Sequence, residues 1–357
     1  MRILFVGNIQ GTSTSVYYYT SLMQLGISVV PFEVDYLHAP NFGQKVWVKL
    51  THEPWPPRAE ALSLRLVDIC KRNPFDAVLV FAENFIGRTV LEEIRAVCAH
   101  PPLFLYHSHD NNFSDGVLKP STFTENLCAY DIVFTTKSQN VARYQKLGQG
   151  NVHYLPSAFE PLVHRPVAAH ESRYASAGLQ VTFIGTYDHS RDRYVEAAPW
   201  DRLRVWGGRW NRYPEFEAWR DRIDPRAIYY FEFADVIHHS QISLGLLREE
   251  AEDRHTERTF EIPACGGFQL APRNPEIQAF FREDQEIVLF DSPEELKDKI
   301  DFYLGHETER KRIARRGHER CLSSGHRYLD RAQEIVKLLG ARLPKAEVSH
   351  QEQRSTA

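Results

Sequence analysis

Asp253-Arg254-His255-Thr256-Glu257-Arg258-Thr259-Phe260-Glu261-Ile262-Pro263-Ala264-Cys265-Gly266-Gly267-Phe268 opens with charged, loop-like residues and leads into the apolar run Phe268–Ala271. Between them, Arg258–Cys265 reads as a short helix. The Gly266-Gly267 pair stops it, because glycine takes positive φ without a Cβ penalty. Polar loop, short helix, glycine turn and strand together make a helix-to-strand connection. Arg258 and Glu261, three residues apart, share one face of the helix. Taken alone, that pair is also what a surface salt bridge looks like, so the flanking chain decides.

Working outward, the same alternation recurs on both sides. Before the stretch come strand Val181–Gly185, the polar loop Thr186–Asp192, helix 190–198, strand Leu203–Trp206, helix 213–220, a helical Ala234–Ser240 and strand Ile242–Leu247. After it come strand Ile287–Phe290 and helices 293–304, 307–321 and 326–339. Nearer the start, strands Arg2–Gly7, Ile27–Val34, Ala77–Phe81, Leu103–Tyr106, Ile132–Thr136 and Val152–Leu155 alternate with helical patterns, with a Pro-, Trp- and His-rich excursion at 36–56. Short apolar strands separated by helices predict parallel sheets covered on both faces. The prolines at 156, 161 and 166 and the polar run that follows interrupt the rhythm near 160–178. The expected organisation is therefore α/β, with one doubly wound domain over 1–160, a second over 161–325 and a non-periodic tail over 341–357. Each domain places its ligand edge at the strand C-termini.

Bulk composition excludes several classes. The net charge of −4 gives no global basic field for nucleic acid. No run approaches the ~20 apolar residues of a membrane span, and Met1–Gly7 goes straight into a strand pattern without a signal-peptide layout. Five Cys without a CxxC pair, all but Cys321 in apolar contexts, read as buried free thiols in a reducing compartment. A cytoplasmic protein is expected. The chain has no P-loop, no GxGxxG fingerprint, no GxSxG elbow, no HExxH, no Cys/His set at zinc spacing and no DxD.

Three clusters carry candidate chemistry. In Phe183-Ile184-Gly185-Thr186-Tyr187-Asp188-His189-Ser190-Arg191-Asp192-Arg193, a strand ends in glycine and Arg191 begins a helix, a natural seat for a diphosphate. In the Arg258/Glu261 helix, the carboxylate can accept hydrogen bonds from ribose hydroxyls. In His107–Asn112, a polar loop directly after a buried strand can present His109 or Asp110 as a base. A basic stripe, Lys311-Arg312 with Arg315-Arg316, offers a peripheral membrane contact, diluted by Glu307, Glu309 and Glu319.

Arg258-Thr259-Phe260-Glu261-Ile262-Pro263-Ala264-Cys265-Gly266-Gly267-Phe268 resembles the R-x-F-E-x-x-A-C-G-G-F signature of group 1 glycosyltransferases, most like the spore-maturation (CgeB-type) branch of the GT-B fold. Val181–Thr186 with Arg191, Leu203–Gly207, Ile242–Leu246, Phe290–Leu296 and Gly325–Arg331 are similar to further segments of that family, although Gly245 stands where an Asn is frequent. The resemblance covers about residues 181–335.

It implies two Rossmann-like domains facing across a cleft, a last helix at about 326–340 returning to the first domain, and a nucleotide-sugar donor bound by the second domain. It further implies Glu261 on the donor ribose and Arg191 on the diphosphate, next to Gly185 and Thr186. Arg193 or Arg258 would supply a second cation. Thr259 belongs to the same motif, Gly266 and Gly267 would admit the donor to the backbone, and Asp253 would contact the donor sugar. The implied reaction is sugar transfer to a carbohydrate, lipid-linked or small-molecule hydroxyl acceptor, without metal or other cofactor, with retention of configuration. A silent sugar-nucleotide-binding scaffold, an epimerase and a phosphorylase share the fold. Donor hydrolysis without acceptor separates the scaffold from the transferase.

Overall fold

The computed structural model describes residues 1–343 apart from positions 12, 35–42, 45, 48–54, 84, 109–111 and 115–116. The expected excursion at 36–56, His109, Asp110 and most of the tail therefore lie largely or wholly outside the described residues.

The first sheet contains β1 (Arg2–Gly7), β2 (Ser28–Glu33), β3 (Ala77–Phe81), β4 (Leu103–Ser108), β5 (Ile132–Thr135) and β6 (Val152–Tyr154). Their spatial order is β2-β1-β3-β4-β5-β6, and every pairing is parallel. Helices α1 (Thr14–Gln24), α2 (Pro56–Arg72), α3 (Arg88–Val97) and α4 (Ser138–Lys146) form the crossovers. All five residues of β3 are buried, as are Ile3–Val6 of β1. An apolar layer covers each face, one around Leu4, Val78 and Phe104, the other around Phe5, Leu79 and Leu105. This double cover explains why the strands read as continuous apolar runs.

The second sheet contains β7 (Val181–Ile184), β8 (Leu203–Trp206), β9 (Ile223–Asp224), β10 (Ile242–Leu244), β11 (Gln269–Pro272) and β12 (Val288–Phe290). Their order is β9-β8-β7-β10-β11-β12, again all parallel. Helices α5 (Asp192–Ala197), α6 (Tyr230–His239), α7 (Arg258–Ala264), α8 (Pro275–Phe280), α9 (Pro293–Gly305) and α10 (Glu307–Ser323) flank it. Two elements, β9 and α8, were not expected.

The expected helix 213–220 is instead a run of turns, closed by bonds such as Phe216 N–H to Tyr213 O at 3.0 Å and Trp219 N–H to Phe216 O at 3.2 Å. Aromatic packing decides it. Trp200 stacks on Trp219 at 5.0 Å and on Tyr213 at 5.8 Å, which pins both ends of the segment to one ring.

The last described helix, α11 (Tyr328–Gly340), belongs to the first layer system. Tyr328, Ala332, Ile335 and Leu339 are buried with Tyr18 and Leu22 of α1. Its entry is fixed where Phe159 N–H donates to His326 O and Tyr328 N–H donates to Phe159 O, each at 3.1 Å. Arg331 Nε donates to Pro156 O at 2.8 Å.

No cysteine is paired, and their burial differs from the sequence reading: Cys321 is buried, whereas Cys128 is exposed. Lys311, Arg312 and Arg315 of the basic stripe pair with Glu307, Glu309 and Glu319. Among the described residues no helix is long and apolar enough to cross a membrane.

Candidate functional site

A cavity of about 310 Å³ lies between the carboxyl edges of the two sheets. Thr14 and Tyr17 of α1 form one wall. The other wall carries Phe183–Thr186, Arg191, Tyr229, Tyr230, Phe233, Leu244, Leu246, Arg248 and Thr256–Arg258 with Glu261, and His164 contributes from the connecting segment.

The glycine loop after β7 is held from two sides. Trp210 Nε1 donates to Gly185 O at 2.8 Å, and Gly207, at φ +153°, packs so closely that a Cβ there would strike the Gly185 carbonyl. A Cβ on Gly185 itself would sit 2.7 Å from the Phe183 ring. Asp188 caps the turn that follows: its Oδ1 accepts from Ser190 N–H at 3.1 Å and from the Ser190 hydroxyl at 2.6 Å. Helix α5 is only six residues long, so its dipole is small, and the positive charge at this edge comes from guanidinium groups.

Arg191 is 7% exposed. Nη1 donates to Thr186 O at 2.8 Å and Nε to Leu247 O at 3.4 Å, and the guanidinium lies 5.4 Å from the Phe183 ring centre. Among the described residues no carboxylate comes within ion-pair distance of it. Burial, with Arg248 nearby, brings its pKa down to about 10, so it stays charged at neutral pH. A buried cation without a counter-charge is costly unless an anion joins it.

Arg248 and Arg258 add to this field. Arg258 lies 4.1 Å from the Phe233 ring centre and pairs with Glu261, so the salt bridge suspected from the sequence exists but lines a cleft. Glu261 is buried, and its Oε1 lies 3.2 Å from His164 Nε2. His164 Nδ1 accepts from Glu160 N–H at 3.0 Å, which leaves Nε2–H to donate to the carboxylate. Burial lowers the His164 pKa, in keeping with that neutral tautomer. Two partners leave acceptor capacity on Glu261 for hydroxyl donors. The carboxyl of Glu257, one turn earlier, is pushed up by burial and by the Glu261 charge.

The site residues expected from sequence therefore separate. Gly185, Thr186, Arg191, Arg258 and Glu261 meet at the cavity. Arg193 is exposed and paired with Glu249, away from the lining. Thr259 is buried, where its hydroxyl accepts from Thr256 N–H at 3.2 Å and closes the first turn of α7. Gly266, at φ +76°, ends α7, and a Cβ on Gly267 would sit 2.6 Å from Ile237. These two glycines pack against α6 and are not among the residues that line the cavity. The Asp253 side chain is 4% exposed, with its oxygens on Lys137 and Arg248, and is not a lining residue. β4 ends at Ser108, and His109 and Asp110 lie outside the described residues.

Reading the sequence missed Arg248, His164, Glu257, Tyr229 and Tyr230. Arg248 directly follows the apolar run Ile242–Leu247, the position where strand ends bear ligands, so a signal existed. His164 carried none. The place of the frequent Asn at Gly245 is taken by Gln269, whose side chain packs against the Gly245 Cα and donates from Nε2 to Arg258 O at 3.4 Å.

Comparison with known proteins agrees with this architecture. Residues 190–337 match the family described as Glycosyl transferase-like. Sucrose-phosphate synthase from Thermosynechococcus elongatus superposes with a TM-score of 0.67 at 14% identity, covering 95% of this chain and 98% of that one. The fold is GT-B. Anabaena HepE, solved in complex with UDP-glucose, has the same GT-B fold, with a TM-score of 0.64 at 12% identity over 96% of this chain and 100% of its own. The spore protein CgeB of Bacillus subtilis (strain 168) is 24% identical over 202 residues, which are 52% of this chain and 60% of that protein. The chain thus has the GT-B fold, and residues 190–337 are similar to the family described as Glycosyl transferase-like.

Proposed function

We propose that the chain transfers a sugar from a nucleotide-sugar donor to a hydroxyl acceptor of a polysaccharide, glycolipid or natural product. One observation carries this reading: the buried Arg191, without a carboxylate partner among the described residues, shares a cavity with Arg248, Arg258 and the buried carboxylate Glu261. A nucleoside diphosphate presents the matching pattern, with two phosphates for the guanidinium groups and two ribose hydroxyls for Glu261. Tyr229 and Tyr230 offer rings at the same mouth for a base. The UDP-glucose complex of HepE, a protein of the same fold, supports the choice of donor class.

As the sugar leaves, negative charge grows on the diphosphate, and fixed guanidinium groups stabilise it without reorganisation. We therefore propose transfer without a metal ion. Retention of configuration is our preferred stereochemical course, because it asks for no strong base at the acceptor hydroxyl.

Calorimetry with UDP, followed by UDP-glucose turnover with and without acceptor, tests the proposal. The expected results are UDP binding and slow release of free glucose. A chain that binds UDP but releases no sugar is a scaffold, and a chain that does not bind any nucleoside diphosphate overturns the donor assignment.

A further inference from the structure

Asp253 belongs neither to the cavity lining nor to open surface. Its side chain is 4% exposed, with Oδ1 at 3.1 Å from Lys137 Nζ and Oδ2 at 3.0 Å from Arg248 Nε. Lys137 precedes α4 in the first domain, and Arg248 follows β10 and lines the cleft. One carboxylate thus bridges the domain seam and the donor pocket.

Neighbouring contacts make the seam extensive. Lys137 Nζ also donates to Ala251 O, Gln139 Nε2 donates to Glu252 O at 3.0 Å, and Arg143 pairs with Glu252. Beside them, Ser138 and Tyr154 (the latter at 3.2 Å) donate to Glu276, which His255 Nδ1 approaches at 2.7 Å. The first turn of α4 therefore grips residues 251–253, while the start of the same loop carries Arg248.

A buried carboxylate must be neutralised by neighbours. With the domains together, Lys137 and Arg248 share that task, and Arg248 keeps capacity for an anion in the cleft. With the domains apart, Arg248 alone neutralises Asp253 and is drawn away from the anion. Binding and closure then favour each other by the same factor.

We propose that Asp253 is a positioning residue coupling diphosphate binding to domain closure, holding Arg248 at the cleft with one oxygen and Lys137 across the seam with the other. This role presupposes the donor reading above, and it replaces the donor-sugar contact expected of this position.

The test measures UDP affinity in wild type, K137M, R248M, D253N and K137M/R248M, with hydrogen exchange of residues 248–256 in the ligand-free proteins. Lys137 does not line the cavity, so a purely local role leaves K137M with wild-type affinity. Coupling instead weakens UDP binding about fivefold in K137M. It also makes the double variant no weaker than R248M, because the two losses are not additive. Ligand-free K137M and D253N exchange the 248–256 segment faster than wild type, by similar factors. Wild-type affinity in K137M, or additive losses in the double variant, overturns the coupling. If wild type itself fails to bind UDP, the affinity arm is run with the other nucleoside diphosphates, and the donor reading falls separately only if none binds. The exchange arm then decides alone: faster exchange in K137M supports the bridge, and wild-type protection removes it.

Discussion

The second-domain wall of the cleft carries five charged side chains, Arg191, Arg248, Glu257, Arg258 and Glu261, whereas the described first-domain wall contributes Thr14 and Tyr17. The charged side chains are held in place by polar partners, with Arg191 tied to two carbonyls and Glu261 to His164 and Arg258. Under the proposed reading, a nucleoside diphosphate presents the same charges whatever sugar it bears, so a wall that met it could be fixed, whereas a wall that met an acceptor by shape and hydroxyl groups would need few charges.

The sharpest way to break this contrast is to remove charge from the second-domain wall. Arg191→Ala should weaken UDP binding by roughly 10- to 100-fold, the loss of one or two charge-assisted hydrogen bonds, measured by calorimetry. Glu261→Ala should cost about tenfold in UDP affinity and leave the far-ultraviolet circular dichroism unchanged; wild-type affinity there would remove the ribose contact.

The opposite wall should respond differently. Tyr17→Ala, which loses its stack on Tyr328 at 4.9 Å, should change UDP affinity by no more than about twofold and act on turnover with acceptor. Arg193→Ala should have the smallest effect on binding, because the exposed pair with Glu249 is of the kind worth about 0–1 kcal/mol.

Acid should act on the seam between the two walls. His326 is buried, and burial together with Arg331 and Arg320 lowers its pKa to about 4. The unfolded chain therefore takes up the proton first, near the ordinary value of 6.5. The stability it contributes is present above that value and is lost as pH falls from about 6.5 towards 4. His326→Gln should lower Tm less than wild type does between pH 7 and pH 5, although His153, His164 and His238, also lowered by burial, keep some acid sensitivity.

Much of the second domain was legible because its strands are short apolar runs ending in glycine or charge, a pattern that backbone geometry enforces. Arg191, Arg258 and Glu261, which line the cavity, could be named as candidates because each stands beside a glycine turn or within a short helix of known direction. The glycines 266 and 267 were assigned to ligand approach, yet a missing Cβ serves close helix packing equally well, and only the neighbour Ile237 distinguishes the two. His164 was invisible because its partner is 97 residues away in sequence. The segment 213–220 failed for a related reason: stacking on Trp200 is a tertiary fact that helical periodicity does not contain.

Helix α11 has a consequence for how the chain is made. The first domain's inner layer includes Tyr328, Ala332, Ile335 and Leu339, residues synthesised after the whole second domain. At about 5–20 residues per second on the ribosome, the first domain must wait many seconds for its final piece. During that interval Tyr18 and Leu22 have no cover from α11, so the second domain, emerging later, is the one able to complete its fold first.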